Sequence, residues 1–312
     1  MSNALVAPHF QTPELAREWL ENLRWPEGPI CSHCGTINHA YKTKKPGWYR
    51  CAEKECRKDF TVTTGTVMER SHIPLNKWLM AFYLLNASKK GMSAHQLHRM
   101  LGITYKSAWF MAHRIRYAME QPAFSRLLSG TVEVDETYIG GKRRRPNKAQ
   151  SAPLDSAKPD PRKQTGRGAD KTPVVSLVER GGEVRSFRVA NVTAETLGGA
   201  IRRNVAREAH LRTDSFPSYK LVGREYASHE VVDHSDEYVR GDAYTNTAEN
   251  FFSLLKRGIN GIYHHVSEAH LPRYLAEFDY RYNNRHITDA ERTRKALSMV
   301  EGKRLHYQAA QA

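Results

Sequence analysis

The sequence predicts an α/β domain with a mixed five-stranded sheet and helices, preceded by a cysteine-rich module and a helical segment. Three observations lead to this prediction: the order of strands and helices after residue 130, the clustering of all four cysteines, and the amphipathic pattern between these regions. With 312 residues the chain has the length of about two domains, and a hydrophobic fraction of 40% is sufficient for real cores.

The four cysteines form two pairs, Cys31 with Cys34 and Cys51 with Cys56, with sixteen residues between the pairs. Two short turns that each present two thiolates fit the tetrahedral coordination of Zn²⁺, as in a zinc ribbon, whereas a secreted disulfide protein normally spreads its cysteines more widely. Four protein ligands leave no open position, so we predict one structural zinc ion. His33 is an alternative ligand, and free thiols or disulfides are the alternative state.

Residues 74–119 show the pattern of three helices, with Ser93 and Thr104 as caps of the second and third and Gly102 in the turn between them. This arrangement is typical of a helix-turn-helix, whose second helix can enter the major groove of DNA. Many three-helix bundles share the pattern without binding DNA. The candidate DNA-binding residues on the third helix are Tyr105, Lys106, Ser107 and Arg114.

A strand with acids on one face lies at residues 131–139. Because side chains alternate along a strand, Asp135 shares a face with Glu133, and Val132 and Val134 occupy the other face. Buried carboxylates are costly unless they are paired, hydrogen-bonded or bound to a metal. The strand therefore indicates either a metal site or a solvated sheet face with ordinary surface acids.

The elements after this strand complete the predicted fold. Strands at 174–178 and 183–189 join across two glycines and are followed by a helix, a short strand that ends in Asp214, a brief helix, a weak strand near 228–232 and two helices. The order β-β-β-α-β-α-β-α is that of an RNase H-like domain. In that fold a central strand, a later strand and a helix each carry one acid.

Asp135, Asp214 and Glu249 occupy those three positions. If the fold brings them together, their oxygens fit two Mg²⁺ or Mn²⁺ ions that act in phosphoryl transfer. Lys256 lies two helical turns after Glu249 and could hold a DNA phosphate, and Asn246 shares the same helix face and could ligate or position. The rival acids are Glu133, Glu136, Asp233, Asp236 and Asp242.

The formal net charge of +15 favours a polyanionic partner such as nucleic acid, although a basic protein need not bind one. Residues 142–172 are basic and nearly free of apolar side chains, which is typical of a mobile arm along a phosphate backbone or of a solvated linker. No membrane-spanning run and no signal peptide are evident, so we expect no membrane partner and a cytoplasmic location. The candidate phosphate-binding residues are Lys142, Arg143, Arg144, Arg145, Lys256 and Arg257.

Motifs spread over residues 12–290 carry a family resemblance. They are the two cysteine pairs, TTGTVMERSHIPLNKW (63–78), SAHQLHRMLGITYKSAWFMAHRIR (93–116), VDETYIGGK (134–142), KTPVVSLVERGG (171–182) and TNTAENFFSLLKRGINGIYHHVSEAHLPRYLAEFDYRYNNR (245–285). In these motifs the chain resembles the DDE-type transposases of bacterial insertion sequences that carry an N-terminal zinc ribbon, the group called the "fifteen-ninety-five" family.

The resemblance implies that Asp135 and Asp214 are the first two catalytic acids and that Lys256 is the basic residue that follows the third. Members are similar in carrying either an acid or an asparagine at the third position, so Glu249 leads and Asn246 remains an alternative. The resemblance also implies recognition of terminal inverted repeats in double-stranded DNA, and action as a homo-oligomer on two DNA ends and a target at the bacterial nucleoid.

We therefore predict a Mg²⁺-dependent transposase that cleaves element ends and joins the 3′-hydroxyls to target DNA. The alternatives are a catalytically silent, transposase-derived DNA-binding regulator, an RNase H-class nuclease, and an RNA-binding zinc-ribbon module. The predicted organisation is an N-terminal helix region (1–30), a zinc ribbon (31–62), a helix-turn-helix domain (72–120), a catalytic domain (128–290) with the basic insertion (142–172), and a C-terminal tail (291–312).

Overall fold

The computed structural model describes residues 6–121, 126–140, 171–232 and 245–306. The chain divides into two compact units, one that combines Met1–Glu120 with Asn284–Ala312 and one that consists of Gln121–Asn283. The five-part organisation predicted from the sequence stays a prediction. In chain order the elements are α1 (Pro13–Arg24), β1 (Ala40–Lys42), β2 (Tyr49–Cys51), β3 (Asp59–Phe60), α2 (Leu75–Ala87), α3 (Ala94–Leu101), α4 (Tyr105–Ala118), β4 (Thr131–Ile139), β5 (Thr172–Glu179), β6 (Val184–Arg188), α5 (Ala194–Asn204), β7 (His210–Asp214), α6 (Tyr219–Gly223), β8 (Ser228–Val232), α7 (Asn246–Gly258), α8 (Leu271–Asn283) and α9 (Asp289–Ser298).

Side-chain caps begin three helices of the first unit, and two of these caps, Ser93 and Thr104, are the residues that the sequence indicated. The hydroxyls of Thr12, Ser93 and Thr104 each accept a hydrogen bond from the backbone N–H three residues further on. Gly102 ends α3 in the left-handed conformation, with φ 58°, which a glycine adopts without steric penalty. The three helices predicted between residues 74 and 119 are therefore present, with a tight turn between α3 and α4.

Strands β1, β2 and β3 form a small antiparallel sheet whose core is aromatic. Tyr49 and Phe60 are buried and stack with their ring centroids 5.8 Å apart, and Trp25 packs edge-on against both. Tyr41 and Trp48 are exposed instead. The aromatic residues of this module thus divide into a core set and a surface set.

Helix α9 had no counterpart in the sequence analysis, which placed no helix after residue 283. Thr288 and Glu291 form a complete capping box at its start. Arg292 then donates a hydrogen bond of 2.8 Å to the backbone carbonyl of Asn86, the penultimate residue of α2. The segment after α8 is therefore an integral part of the first unit.

The second unit is built on a mixed five-stranded sheet with the order β6-β5-β4-β7-β8, which confirms the predicted fold class. The central strand β4 is antiparallel to β5 and parallel to β7, and β7 is parallel to β8. One face of the sheet packs against α5 and α6, and the other packs against α7 and α8. Within the described ranges, no helix is both long and apolar enough to cross a membrane.

Candidate active site

The register of the two central parallel strands decides where the candidate acids lie. Val134 on β4 pairs with Thr213 on β7, so the next residue on each strand, Asp135 and Asp214, follows side by side. Strand β7 ends at Asp214, whereas β4 continues to Ile139 in pairing with β5. Because both strands run in the same direction, the two acids emerge at the same edge of the sheet, far apart in sequence but adjacent in space.

A third acid, Glu136, joins these two. Carboxylate oxygens of Asp135, Glu136 and Asp214 all lie within 4.8 Å of one another. From the sequence, Glu136 was only a rival acid, and alternation puts it on the opposite face of β4 from Asp135. The pairing between β4 and β7 ends before Asp135, so side chains from both faces of β4 can bend over the end of β7.

Each of the three carboxylates is held by a hydrogen bond. The Glu136 backbone N–H donates to Oδ1 of Asp135 at 2.7 Å, and the Phe216 backbone N–H donates to Oδ1 of Asp214 at 3.1 Å. The hydroxyl of Tyr219, which is fully buried on α6, donates to Oε2 of Glu136 at 2.5 Å. These bonds fix the directions of the carboxylates before any ligand arrives.

Burial and mutual repulsion raise the proton affinity of this cluster. Burial, together with the negative charges of Glu136, Asp214 and Glu249, raises the pKa of Asp135 to about 7 against the opposing hydrogen bond from the Glu136 backbone. Burial likewise raises the pKa of Glu136. Converging, mutually repelling carboxylate oxygens are the donor set that a hard divalent cation such as Mg²⁺ or Mn²⁺ prefers. The cluster therefore fits a divalent ion both in its chemistry and in its charge.

A groove of about 820 Å³ opens beside Asp135 and Glu136. Its other wall is the exposed side of α7 and the π-helical turn that follows at Ile259–Tyr263. Glu249 and Lys256, predicted to share one face of this helix, both line the groove, and so does Arg257. Asn246 begins α7 one turn earlier and is not among the lining residues.

The other acids that competed for a place in the site differ in where they lie. Glu133 shares the β4 face of Asp135, as predicted, but it is fully buried in an ion pair with Arg180 and in hydrogen bonds to the start of α7. Its oxygens accept from Arg180, Thr247 and Ala248, and Glu133 does not belong to the carboxylate cluster of Asp135 among the described residues. Asp233, Asp236 and Asp242 lie outside the described residues.

The four cysteines meet in the first unit. Sγ of Cys31 lies 3.8 Å from Sγ of Cys56, and Sγ of Cys34 lies 3.6 Å from Sγ of Cys51. Sulfurs at the corners of a tetrahedron with Zn–S bonds of ~2.3 Å are ~3.8 Å apart, so the spacing fits zinc. The alternative ligand His33 instead has its Nε2 3.2 Å from the backbone carbonyl of Asp59. The four cysteines thus form a closed zinc-ribbon site.

The candidate DNA-binding residues on α4 separate into two groups. Tyr105 and Lys106 are exposed and Ser107 is half-buried at the start of the helix, and the Tyr105 ring stacks on His95 at 4.2 Å. Arg114 is buried, with its guanidinium 5.2 Å from the ring centroid of Trp78 and a hydrogen bond to the carbonyl of Glu69.

This burial corrects one expectation from the sequence. Burial lowers the pKa of Arg114 to about 10, and the side chain is committed to packing inside the first unit. We therefore leave Arg114 out of the surface that contacts DNA. The basic residues predicted in the arm, Lys142, Arg143, Arg144 and Arg145, lie outside the described residues.

Comparisons with known proteins agree with this architecture. Residues 127–283 match the ISXO2-like transposase domain, and residues 11–59 match the transposase zinc-ribbon domain. The chain belongs to the ISXO2-like transposase family, which confirms the resemblance seen in the motifs. It is thus a DDE transposase by family.

Two relatives and one solved structure show how far the likeness extends. An uncharacterized protein in the transposable element ISH50 of Halobacterium salinarum is 30% identical over 287 residues, which cover 87% of this chain and 91% of that protein. An uncharacterized transposase-like protein of Haemophilus influenzae is 31% identical over 105 residues, or 34% of this chain and 85% of that protein. The crystal structure of the Mos1 strand transfer complex is similar over 70% of this chain and 73% of that chain, with 14% identity and a TM-score of 0.27.

Proposed function

We propose that this protein is a metal-dependent transposase that cleaves DNA at the ends of an insertion sequence and joins the 3′-hydroxyls to target DNA. The observation that carries the proposal is the convergence of Asp135, Glu136 and Asp214 at one edge of the sheet, next to a groove that contains Glu249 and Lys256. An acidic cluster beside an open groove with basic residues is the arrangement that phosphoryl transfer on a polyanion requires.

In this proposal some side chains of the site bind the metal ions and others bind the DNA. Asp135 and Asp214, with Glu136 or Glu249 as a further ligand, would hold two Mg²⁺ or Mn²⁺ ions. When bound, such ions activate the attacking water or 3′-hydroxyl and stabilise the leaving oxygen in an in-line displacement. Lys256 and Arg257 line the groove and would bind backbone phosphates near the scissile bond. The proposal needs no covalent enzyme–DNA bond and so no Ser or Tyr nucleophile.

The first unit supplies the surface proposed for recognition of the terminal inverted repeats. Tyr105, Lys106 and Ser107 lie at the start of α4, where the second helix of a helix-turn-helix contacts base edges. On the zinc ribbon, Lys45 lies 5.8 Å above the exposed ring of Trp48, a pairing that suits a nucleic-acid backbone and its bases. Because the protein would act on two DNA ends, it would work as a homo-oligomer. Its place of action would be the nucleoid in the cytoplasm.

The decisive experiment measures cleavage and strand transfer separately on a labelled end-containing duplex. Asp135→Asn and Asp214→Asn should each lower both rates by about a thousandfold or more, equal to roughly 4 kcal/mol of barrier, with unchanged affinity for the end. Glu268→Gln is a matched control, since this acid is exposed on the same unit and, among the described residues, its ion pair is with Arg188. Cleavage that survives either Asp substitution would remove that acid from the proposed site.

The same assay assigns the remaining ligand. Glu249→Gln, Glu136→Gln and Asn246→Ala are compared at saturating Mn²⁺, and the true ligand is the one whose loss resembles that of Asp135. Because Asn246 lies outside the groove lining and Glu249 within it, we expect Asn246→Ala to be the mildest of the three. A protein that cleaves but never joins a 3′-hydroxyl to target would be a nuclease, and one that binds ends without nicking would be a regulator.

A further inference from the structure

We propose that Glu133 is a positioning residue: its buried carboxylate fixes the start of α7 against β4 and thereby places Glu249 beside Asp135. This inference rests on the proposed function, in that it concerns how the catalytic acids are brought together. It assigns no metal contact to Glu133 itself.

Both oxygens of Glu133 are saturated with hydrogen-bond donors. Oε2 accepts from the backbone N–H groups of Thr247 at 2.9 Å and Ala248 at 3.0 Å, and Oε1 accepts from the Thr247 hydroxyl at 2.9 Å and from Nε of Arg180 at 2.8 Å. The Glu133 side chain is completely buried. A buried charge with four donors is held in one position, because each lost bond would leave a polar group unpaired away from water.

The contacts at Thr247 and Ala248 make Glu133 the cap of α7. Thr245 occupies the N-cap position, but its side chain makes no capping hydrogen bond. The first N–H groups of a helix need acceptors, and a negative charge there also interacts favourably with the helix dipole. In α7 this acceptor comes from β4, more than a hundred residues earlier, instead of from the local sequence.

The position of Glu133 connects two parts of the candidate site. Along β4 it lies two residues before Asp135, on the same face of the strand. Along α7 its contacts end at Ala248, and Glu249 is the next residue. One side chain therefore ties the strand that carries the first acid to the helical turn that carries Glu249, and a change in its length or charge would shift that turn relative to Asp135.

Glu179 offers an internal comparison for this role. It lies on β5, directly paired with Val132 of β4, and it is also a buried glutamate in an ion pair, with Arg126. Its oxygens accept from the Arg126 guanidinium and from the backbone N–H of Ser129, and none of its described contacts reaches α7. The two residues therefore have similar burial and pairing but different connections.

Three substitutions separate the parts of the Glu133 contact. Glu133→Gln keeps the shape but replaces one acceptor oxygen by a donor, so either Arg180 or the helix N–H groups lose their partner. Glu133→Asp keeps the charge but shortens the side chain by one methylene, which withdraws the cap from α7. Thr247→Val is isosteric and removes only the hydroxyl bond to Oε1, so it leaves the rest of the anchor in place.

The experiment measures the Mn²⁺ concentration that half-saturates cleavage, together with direct Mn²⁺ binding to the free protein by calorimetry. We expect half-saturation to rise about tenfold or more in Glu133→Gln and Glu133→Asp and about two- to fivefold in Thr247→Val, with a smaller change in kcat at saturating Mn²⁺. Glu179→Gln should lower thermal stability as Glu133→Gln does, yet leave Mn²⁺ binding unchanged.

The outcomes distinguish this inference from the proposed function. A folded Glu133→Gln protein with wild-type Mn²⁺ binding would overturn the positioning role, and so would an equal shift in Glu179→Gln. If both Glu133 variants fail to fold, Thr247→Val decides, and an unchanged Mn²⁺ half-saturation in that variant overturns the role. Failure of the proposed function would give a different result: cleavage would persist in Asp135→Asn, while the Glu133 variants would still alter Mn²⁺ binding.

Discussion

The cysteine cluster and the carboxylate cluster are both sets of converging metal ligands, but they are constructed in opposite ways. The sulfurs of Cys31, Cys34, Cys51 and Cys56 come from short turns within one small module and surround a point on all sides. The carboxylates come from two neighbouring strands, at positions about eighty residues apart in sequence, and leave one side open to a groove. A closed ligand shell stabilises a fold, whereas an open one gives access to a substrate.

The two clusters also differ in what holds them without a metal. The ribbon has little core beyond Trp25, Tyr49 and Phe60, so it depends on its ion. The carboxylates stand on a five-stranded sheet with a core on each face, so the sheet holds them together although they repel one another. Metal removal should therefore unfold the first site and only relax the second.

The largest effect is expected from Cys51→Ser, which breaks the closed shell at a fully buried ligand. We expect the loss of one bound zinc per chain and of more than about 4 kcal/mol of stability in the ribbon, because the metal substitutes for a hydrophobic core. Zinc released on denaturation and near-ultraviolet circular dichroism of the ribbon aromatics measure the two changes. Thr36→Val is the control, because the Thr36 hydroxyl lies next to a ligand, 3.4 Å from Sγ of Cys34, but is not itself a ligand. This substitution should lower the stability by less than about 1 kcal/mol. Retention of zinc and fold in Cys51→Ser would contradict the closed-shell assignment.

An effect of intermediate size and opposite sign is expected from Asp135→Asn in the ion-free protein. The folded pKa of Asp135, about 7, exceeds its unfolded value near 4, so the fold loses stability as pH rises from about 4 to 7. The substitution should therefore raise the melting temperature by roughly 2–4 °C above pH 7 and by little at pH 4.

Addition of Mn²⁺ should reverse the order of these two proteins. The wild type should gain melting temperature from bound ions, and Asp135→Asn should gain almost nothing. Thermal melts at pH 4 and 8, with and without Mn²⁺, provide the four measurements, and Glu268→Gln serves as the exposed-acid control. An ion-free Asp135→Asn protein that melts below the wild type at pH 8 would show that repulsion does not dominate this cluster.

The smallest effect is expected from Tyr219→Phe, which removes the hydroxyl that donates to Glu136. We expect a loss of about 0.5 kcal/mol of stability and a two- to threefold weaker affinity for Mn²⁺, because one carboxylate loses its orientation. Tyr226→Phe is the matched control, since the Tyr226 hydroxyl is buried with no hydrogen-bond partner among the described residues. Equal effects of the two substitutions would assign Tyr219 to the core alone.

This contrast explains how much of the molecule could be predicted from sequence. The zinc site, the capped helices and the order of strands follow from local spacing and periodicity, and the structure contains each of them. The adjacency of Asp135 and Asp214 was expected only through the fold class, since it depends on a register between strands that no local pattern specifies.

Two residues show where sequence reasoning ended. Glu136 was only a rival acid in the sequence, because alternation places it on the opposite face of β4 from Asp135. It joins Asp135 and Asp214 because the pairing of β4 with β7 ends before this point. Arg114 was a candidate DNA-binding residue on α4, yet its packing on Trp78 buries it, although charged side chains are mostly exposed. Neither the end of a partner strand nor an aromatic neighbour on another helix is visible in a single sequence.

Helix α9 belongs to the first unit although it follows the second unit in the sequence, and this order has a consequence for biosynthesis. Residues 121–283 leave the ribosome as one uninterrupted stretch and can assemble their sheet while translation continues. The zinc ribbon and its neighbouring helices are translated first, yet they must wait for Arg292 and the capped helix around it before their unit is complete. The segment made first is therefore completed among the last, and until α9 has been translated the side of α2 that packs against it stays uncovered.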